Sequence, residues 1–501
     1  MTDIDAQARK EMGIDSEGND KTITTEVERL RTVIVGLFDE RTWLMLRMVL
    51  AVHFSPMFKN ASNPLALVFV DSSSSGKTTV LDFCDELPMS LKLDAFTPAS
   101  FLTQSANVKK KELENGKHPD LISLIPYRTL LLPELGVMFG QPKEILAHSY
   151  GVLARVLDGT GYSNAGGVHG LRSVKGDYFF GLCGASTPIK QTAWNEMGKV
   201  GNRLLLASLP VRERTVDRYS TAMKIFTSDS KSEYRVKVKK AKHAVNTYVE
   251  FVIEHTYPRS YNPPKDAPEG LSDKKALLDH CGYLPRILTW DPKGDDMDVL
   301  EMTGMLAEFV TACRAQASTW IDKDLENKTE VNSQTVEKEG IGRMAMLIKE
   351  LLQAHAFACG RENITWDDFE VALTVGLSSI PDDIRKGVEL LFDTNLPFKT
   401  SEKGKFTSNE MVDSTGVTRK TVLLKMTKLQ NMGIGKRMVR TNRPDEFWMY
   451  RKYQFLLSEK LFEHYRKWDK HDDKLEDEEL MFEEGFDMIK DDREDQSELN
   501  F

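Results

Sequence analysis

The stretch that constrains this chain most is Leu65-Ala-Leu-Val-Phe-Val70, followed at once by Asp71-Ser-Ser-Ser-Ser-Gly-Lys-Thr-Thr79. Six uninterrupted apolar residues fit a parallel strand covered on both faces, because a strand with one wet face alternates. The pattern Thr79-Val-Leu-Asp-Phe-Cys84 continues as a helix. A loop between a buried strand and a helix N-terminus presents backbone N–H groups and the positive end of the helix dipole, so it cradles an anion. Lys77 can then reach β- and γ-phosphate oxygens, and the Thr78 hydroxyl can ligate Mg²⁺. Asp71, Ser72, Ser73, Ser74, Ser75, Gly76, Lys77, Thr78 and Thr79 are thus the expected phosphate-binding segment. It departs from the G-x-x-x-x-G-K-[ST] spacing at Asp71, where glycine would ease the turn. Asp is among the few other residues that tolerate such backbone geometry.

The surrounding sequence supplies the rest of an α/β sheet with helices on both faces. Apolar runs at 129–132, 178–183 and 204–209 are further core strands, separated by helical patterns up to about residue 211. Before the first strand, Val27, Leu30, Ile34, Leu44, Met45, Met48 and Val49 recur at helical spacing and predict two helices. From 235–255, 297–315 and 341–360 the pattern is helical with no strand-turn unit between. The expected division is a flexible leader over 1–23, an α/β core over 24–215, a helical unit over 216–380, a small basic unit over 381–468 and an acidic disordered tail over 469–501.

Charge is distributed as unevenly as structure. The 501 residues sum to -9, but 469–501 carries 15 Asp/Glu against 4 Lys/Arg, which leaves the body slightly basic. Residues 398–453 hold 13 Lys/Arg and 5 Asp/Glu, a balance that suits a nucleic-acid partner. The acidic tail is expected to fold back on that basic unit or to recruit a basic partner. No basic n-region precedes an apolar stretch at the N-terminus, and the longest apolar run, Trp43 to Phe54, is too short for a membrane span. A cytoplasmic protein with no membrane partner is expected. The five cysteines are scattered without C-x-x-C spacing, so buried thiols are expected rather than disulfides or a zinc site.

Three further runs carry chemistry. Arg128-Thr-Leu-Leu-Leu-Pro-Glu-Leu-Gly136 has the shape of a Walker B strand, with Glu134 where a general base would orient attacking water and Pro133 where a Mg²⁺-associated carboxylate is usual. Tyr178-Phe-Phe-Gly-Leu-Cys-Gly-Ala-Ser-Thr-Pro188 is a strand ending in small polar residues, and Arg203 stands directly before the last strand. Residues 159–176 are Gly-rich between a helix and that strand. Further along, Gly340-Ile-Gly-Arg343 opens a helix and Ile364-Thr-Trp-Asp-Asp368 caps the next.

In the order and spacing of these motifs, residues 30–456 resemble the AAA+ P-loop ATPases of the helicase clade that contains the minichromosome maintenance proteins. The resemblance implies an ATP- and Mg²⁺-binding core, a helical lid and assembly as a homo-oligomer, a ring such as a hexamer or an open form. It places Thr187 as the sensor 1 residue with Ser186 as the fallback, and Glu134 beside Thr78 at the metal. Arg203 becomes an arginine finger for a neighbouring subunit, its other reading being an internal salt bridge. Arg343 becomes sensor 2 at the γ-phosphate, with Arg286 as a competitor. The Gly-rich stretch is similar to the pre-sensor 1 hairpin, whose tip would touch DNA through His169, Arg172 and Lys175; its other reading is a loop covering nucleotide or a protein partner.

The basic unit reads as a winged helix-turn-helix. A capped helix ends at Gly416, and a second has an apolar face of Val422, Leu423, Met426 and Leu429. Arg419, Lys420 and Lys425 remain for DNA, and a hairpin wing adds Lys436, Arg437 and Arg440. These readings imply an ATP-hydrolysing, helicase-like or replication-associated DNA-binding motor. A non-hydrolysing, ATP-switched regulator or initiator is the alternative, and Pro133 favours it.

Overall fold

The computed structural model describes residues 22–453 apart from 96, 102–119, 167–169, 175–177, 202, 210–229, 257–259, 266, 269, 316, 324–328, 336–339, 393–402 and 441–442. Residues 1–21 of the leader, the acidic tail, His169 and Lys175 lie outside the described residues, and the end of the expected leader is instead the cap and first residue of a helix. The described residues fall into two compact units, one drawn from 1–314 and 339–381 and the other from 315–338 and 382–501.

In the first unit, α1 (Ile23–Leu37) and α2 (Glu40–Phe54) precede the sheet. Thr22 and Asp39 cap them by accepting from the N–H groups of Thr25 and Thr42. α2 buries nearly every side chain, which its almost unbroken apolar sequence permits. The five parallel strands are β1 (Leu65–Val70), β2 (Ser90–Lys92), β3 (Thr129–Leu132), β6 (Gly181–Ser186) and β7 (Leu205–Ala207), ordered β2-β3-β6-β1-β7. Even-numbered residues of β1 join Leu130, Leu132, Leu182, Leu204 and Leu206 in one core with Tyr150, Leu153, Trp194 and Met197. Those last four belong to α4 (Lys143–Val156) and α5 (Gln191–Val200), which follow α3 (Lys77–Asp82) in the chain. The opposite face receives α2, and Gly181 is fixed there because a Cβ would lie 2.8 Å from Val52 Cγ1.

The third core strand runs from Gly181 to Ser186 rather than over 178–183. Tyr178 and Phe179 use their backbone groups on Gly159 and Tyr127 outside the sheet. Between α4 and β6 stands an antiparallel hairpin, β4 (Tyr162–Gly166) and β5 (Gly170–Val174).

The helices that follow are α6 (Ser230–Thr256), α7 (Lys274–Cys281), α8 (Met297–Arg314), α9 (Ile341–Ala358) and α10 (Trp366–Ser378). The expectation of uninterrupted helix from 216 to 380 is corrected by a hairpin between α8 and α9, β8 (Ala317–Lys323) with β9 (Thr329–Thr335). Its sequence, Ala-Ser-Thr-Trp-Ile-Asp-Lys and Thr-Glu-Val-Asn-Ser-Gln-Thr, is rich in β-branched residues but too polar to register as an apolar strand run.

The hairpin belongs to the second unit. There α11 (Asp382–Phe392), β10 (Lys405–Thr407), α12 (Ser408–Thr415), α13 (Arg419–Asn431), β11 (Gly435–Met438) and β12 (Glu446–Met449) follow in order, with a β10-β12-β11 antiparallel sheet. Thr407 and Glu410 form a reciprocal capping box at α12, and Gly416 ends that helix in the left-handed region.

Among the described residues no helix is long and apolar enough to cross a membrane.

Candidate functional site

Three neighbouring parallel strands bring the motif residues to one edge of the sheet. β6 lies between β1 and β3, with Val70 opposite Ser186 and Leu132 opposite Gly184. The loop after β1, the turn after β3 and the end of β6 therefore open side by side at the carboxyl edge, the usual position for ligands in open parallel sheets. Backbone bonds tie them together: the N–H of Asp71 donates to Ser186 O at 3.2 Å and that of Leu135 to Ala185 O at 2.9 Å. Gly136, two residues after Glu134, packs so closely that a Cβ would lie 3.3 Å from Ser186 Oγ and in ordinary contact with Thr187. Glu134 and Thr187 are both exposed there, while Pro133 and Ser186 are buried.

The loop itself is pinned from within. Lys77 Nζ donates to Asp71 O and Ser75 Oγ, both at 2.9 Å, and to Ser72 O. Burial pulls the Lys77 ammonium below its ordinary range and Arg41 adds to this, while Asp71 and Glu134 oppose it. Gly76, the N-cap of α3, has φ of 83° and carries no side chain to cap the first helical N–H groups. Glycine is required there by backbone conformation, since a Cβ would meet nothing nearer than 3.9 Å.

Asp71 is explained differently from the sequence expectation. The left-handed residues of the loop are Ser74, with φ of 64°, and Gly76; Asp71 is not among the residues with positive φ. Its carboxylate instead accepts from Arg41 Nη2 at 2.7 Å and from the N–H of Ser72 at 2.7 Å. Arg41, on the first turn of α2, also donates to the carbonyls of Ser75 and Leu209. One guanidinium therefore joins the phosphate-type loop, α2 and the residue pair after β7. Sequence reading missed Arg41 because 30 residues separate the partners, although a carboxylate in a glycine position was itself a sign that a cation must be near. It also missed Tyr234 of α6, whose hydroxyl shares a hydrogen bond of 2.5 Å with Thr79 Oγ1.

Arg203 and Arg343 lie elsewhere. Arg203 pairs with Asp158 through Nε at 2.7 Å and Nη2 at 3.2 Å, and its Nη1 donates to Gly201 O. Arg343 lines the same small gap as Asp158, Arg203, Asn63 and Pro64. Burial opposes ionisation of Asp158, but Arg203, helped by Arg155 and Arg343, holds its carboxyl below the usual range. Asn63 and Pro64 precede β1, so this cluster sits at the amino edge of the sheet, a strand length of roughly 20 Å from the loop after β1. Within one chain, Arg343 is therefore about a strand length from the loop after β1. Arg286 is a clamp: Nη1 donates to the carbonyls of Phe58 and Ala61, and the guanidinium lies over the Phe179 ring.

In the second unit, Arg419, Lys420, Lys436 and Arg440 are exposed, and Arg440 pairs with Glu446 at 2.9 Å. Of two other expected DNA contacts, Arg437 turns inward and Lys425 is half-buried. Arg437 is bound to Asp445 at 2.6 Å and to Thr427 Oγ1 of α13, because strand alternation points it opposite to Lys436. Lys425 lies three residues after buried Val422, and burial lowers its ammonium below the ordinary range. Arg172 lies on β5 opposite Asn164.

A separate buried cluster joins α9 and α10. His355 Nδ1 meets Asp368 Oδ1 at 2.6 Å, Arg361 Nη2 donates to the same oxygen at 2.6 Å, and Cys359 Sγ lies 3.6 Å from His355 Nε2. Burial opposes the imidazolium, but Cys359 and Asp368 outweigh it and raise His355 to about 8. Burial likewise opposes the Cys359 thiolate, yet His355 draws that thiol below its usual value, unlike the other four buried cysteines. The His355 contribution to stability is complete below its unfolded value of about 6.5 and fades as pH rises through 8. The thiolate contribution runs the other way, present at high pH and lost as pH falls. Cys359→Ala removes the largest of the groups that raise His355, so the imidazole should titrate at a lower pH in that chain than in the wild type, which an NMR titration checks.

No protein-family model matches the chain, and no curated protein matches it.

Proposed function

We propose that the chain is an ATP-binding, ATP-hydrolysing AAA+-like protein that binds DNA and works as an oligomer in a helicase-like or replication-associated role. The observation that carries this reading is the convergence of the Lys77 loop, Glu134 and the Ser186-Thr187 end of β6 on adjacent strands. Backbone N–H groups at the start of α3, the left-handed turn at Ser74 and Gly76, and Lys77 make a set of donors suited to a polyphosphate. Lys77 would exchange its loop carbonyls for phosphate oxygens. Thr78 and Glu134 would hold Mg²⁺, which when bound neutralises charge on the phosphates. With Pro133 in place of a second carboxylate, Glu134 is the acidic group of the β3 turn that remains to orient water.

Arg203 and Arg343 at the opposite edge of the sheet suit a role toward a second copy, where an arginine would offset charge developing on a neighbour's phosphates. The second unit follows the order of a winged helix-turn-helix, with Arg419 and Lys420 at the exposed N-terminal end of α13. The β4–β5 hairpin is the other DNA candidate.

Steady-state ATP turnover with and without single-stranded and duplex DNA tests the reading. DNA-stimulated turnover that Lys77→Ala removes supports it. Absence of turnover at every DNA concentration, with Glu134→Gln indistinguishable from wild type, overturns it. The paired change Arg419→Ala with Lys420→Ala should reduce the slope of log affinity for duplex against log salt by about 2, as expected for two phosphate contacts removed. Pro133 supports a second reading, an ATP-switched regulator or initiator without turnover. Tightening of site-specific duplex binding by ATP, without translocation, distinguishes it.

A further inference from the structure

The outward face of the three-stranded sheet in the second unit carries an aromatic-basic triplet that neither the recognition helix nor the ATP site explains. Trp448 occupies the central strand β12, with Lys405 of β10 and Lys436 of β11 directly opposite on either side. Direct cross-strand partners share a face, so the three side chains stand together. The inner face is taken by Phe406 and Phe447, whose rings stack at 5.3 Å and are fully buried. Trp448 remains 42% exposed and Tyr450, two residues on, 41% exposed. Lys405 Nζ lies 4.6 Å from the Trp448 ring centroid. The indole N–H donates to Glu446 Oε2 at 3.0 Å, and that carboxylate is also held by Arg440.

We propose that this face binds single-stranded nucleic acid, with an unpaired base stacked on Trp448 and the flanking phosphates on Lys405 and Lys436. An indole on a solvated sheet face, fixed in orientation by Glu446, is a stacking platform, and every base offers it a π-face. Bases within a duplex are already stacked, so the platform selects single strands. The ammonium now over the ring holds a weaker contact than a base would, since an exposed cation–π pair contributes less than base stacking. On binding, Lys405 would shift from ring to phosphate. The charge of the surrounding segment, 13 Lys/Arg against 5 Asp/Glu over 398–453, complements a phosphate backbone rather than a basic or apolar partner. This reading goes beyond the duplex contact assigned to α13 and needs no ATP, so the two stand or fall separately.

The test is fluorescence anisotropy of a labelled 15-nucleotide oligo-dT, and of a duplex of equal length, with the full chain and no nucleotide. Trp448→Ala should weaken oligo-dT binding about tenfold. Trp448→Phe, which keeps a stacking ring and controls for folding, should stay within about threefold, and duplex affinity of both variants within about twofold. Lys405→Gln with Lys436→Gln should lower the salt slope for oligo-dT by about 1.4. Equal oligo-dT affinity of Trp448→Ala and wild type overturns the proposal. So does an unchanged affinity accompanied by a change in sedimentation, which would assign the face to a second copy of the chain.

Discussion

Glu134→Gln is expected to lower ATP turnover by about a hundredfold or more while leaving ATP binding intact. Removing a group that orients or deprotonates the attacking water costs typically 10²–10⁴ in rate, and Pro133 supplies no carboxylate to substitute. The glutamine keeps the shape of the β3 turn, where Leu135 is bonded to Ala185 and Gly136 packs against Thr187. Lys77→Ala should instead lose binding and turnover together. These two signatures separate a chemical from a binding role, and equal KM effects in both variants would refute the assignment. Arg203 completes the experiment. Lys77→Ala and Arg203→Ala are each expected to be inactive alone, and an equimolar mixture to recover part of the wild-type rate by pairing an intact loop with an intact arginine across a subunit boundary. If Arg203 acts only through Asp158, to which it is bonded by two nitrogens, the mixture stays inactive and Arg203→Ala shows a lowered urea midpoint.

The elements legible in the sequence were those whose signal is local. β1 and β3 are short apolar runs between turn residues, and α1, α2, α6, α8 and α9 are periodic over four turns or more; each lies within a few residues of its expected place. The Thr365-x-x-Asp368 cap was legible for the same reason: Asp368 accepts from the Thr365 N–H at 2.8 Å. Partners far apart in sequence were not legible. Arg41 with Asp71, Arg203 with Asp158, and His355 with Cys359 and Asp368 are set by tertiary packing, which periodicity does not encode. The β8–β9 hairpin failed for another reason, since a strand pair of polar sequence lacks the apolar run that marks a core strand. Alternation in the small sheet was legible in principle: Lys436 and Arg437 are consecutive on a strand, so one had to face inward, and Asp445 is the partner that allows Arg437 to do so.

Arg41→Ala is expected to destabilise the first unit by about 3 kcal/mol, because it leaves the Asp71 carboxylate buried without its cation. Both side chains are largely enclosed, at 15% and 9% exposure, so solvent screening relieves little of that cost. The second change that tests this is Asp71→Gly, which returns the loop to the G-x-x-x-x-G-K-[ST] spacing. In the Arg41→Ala chain it should recover roughly 2 kcal/mol, since no charge is then stranded. In the wild-type chain the same substitution should destabilise, because Arg41 loses its counter-charge and glycine adds about 0.5–1 kcal/mol of backbone entropy cost. Recovery is incomplete because Arg41 also donates to the carbonyls of Ser75 and Leu209, hydrogen bonds that Arg41→Ala removes whichever residue stands at 71. Urea midpoints of the four chains give the coupling directly. A strongly positive coupling means that the departure at Asp71 is one half of a salt bridge built across the loop. Additive effects would mean instead that Arg41 and Asp71 hold the loop independently, through backbone contacts alone.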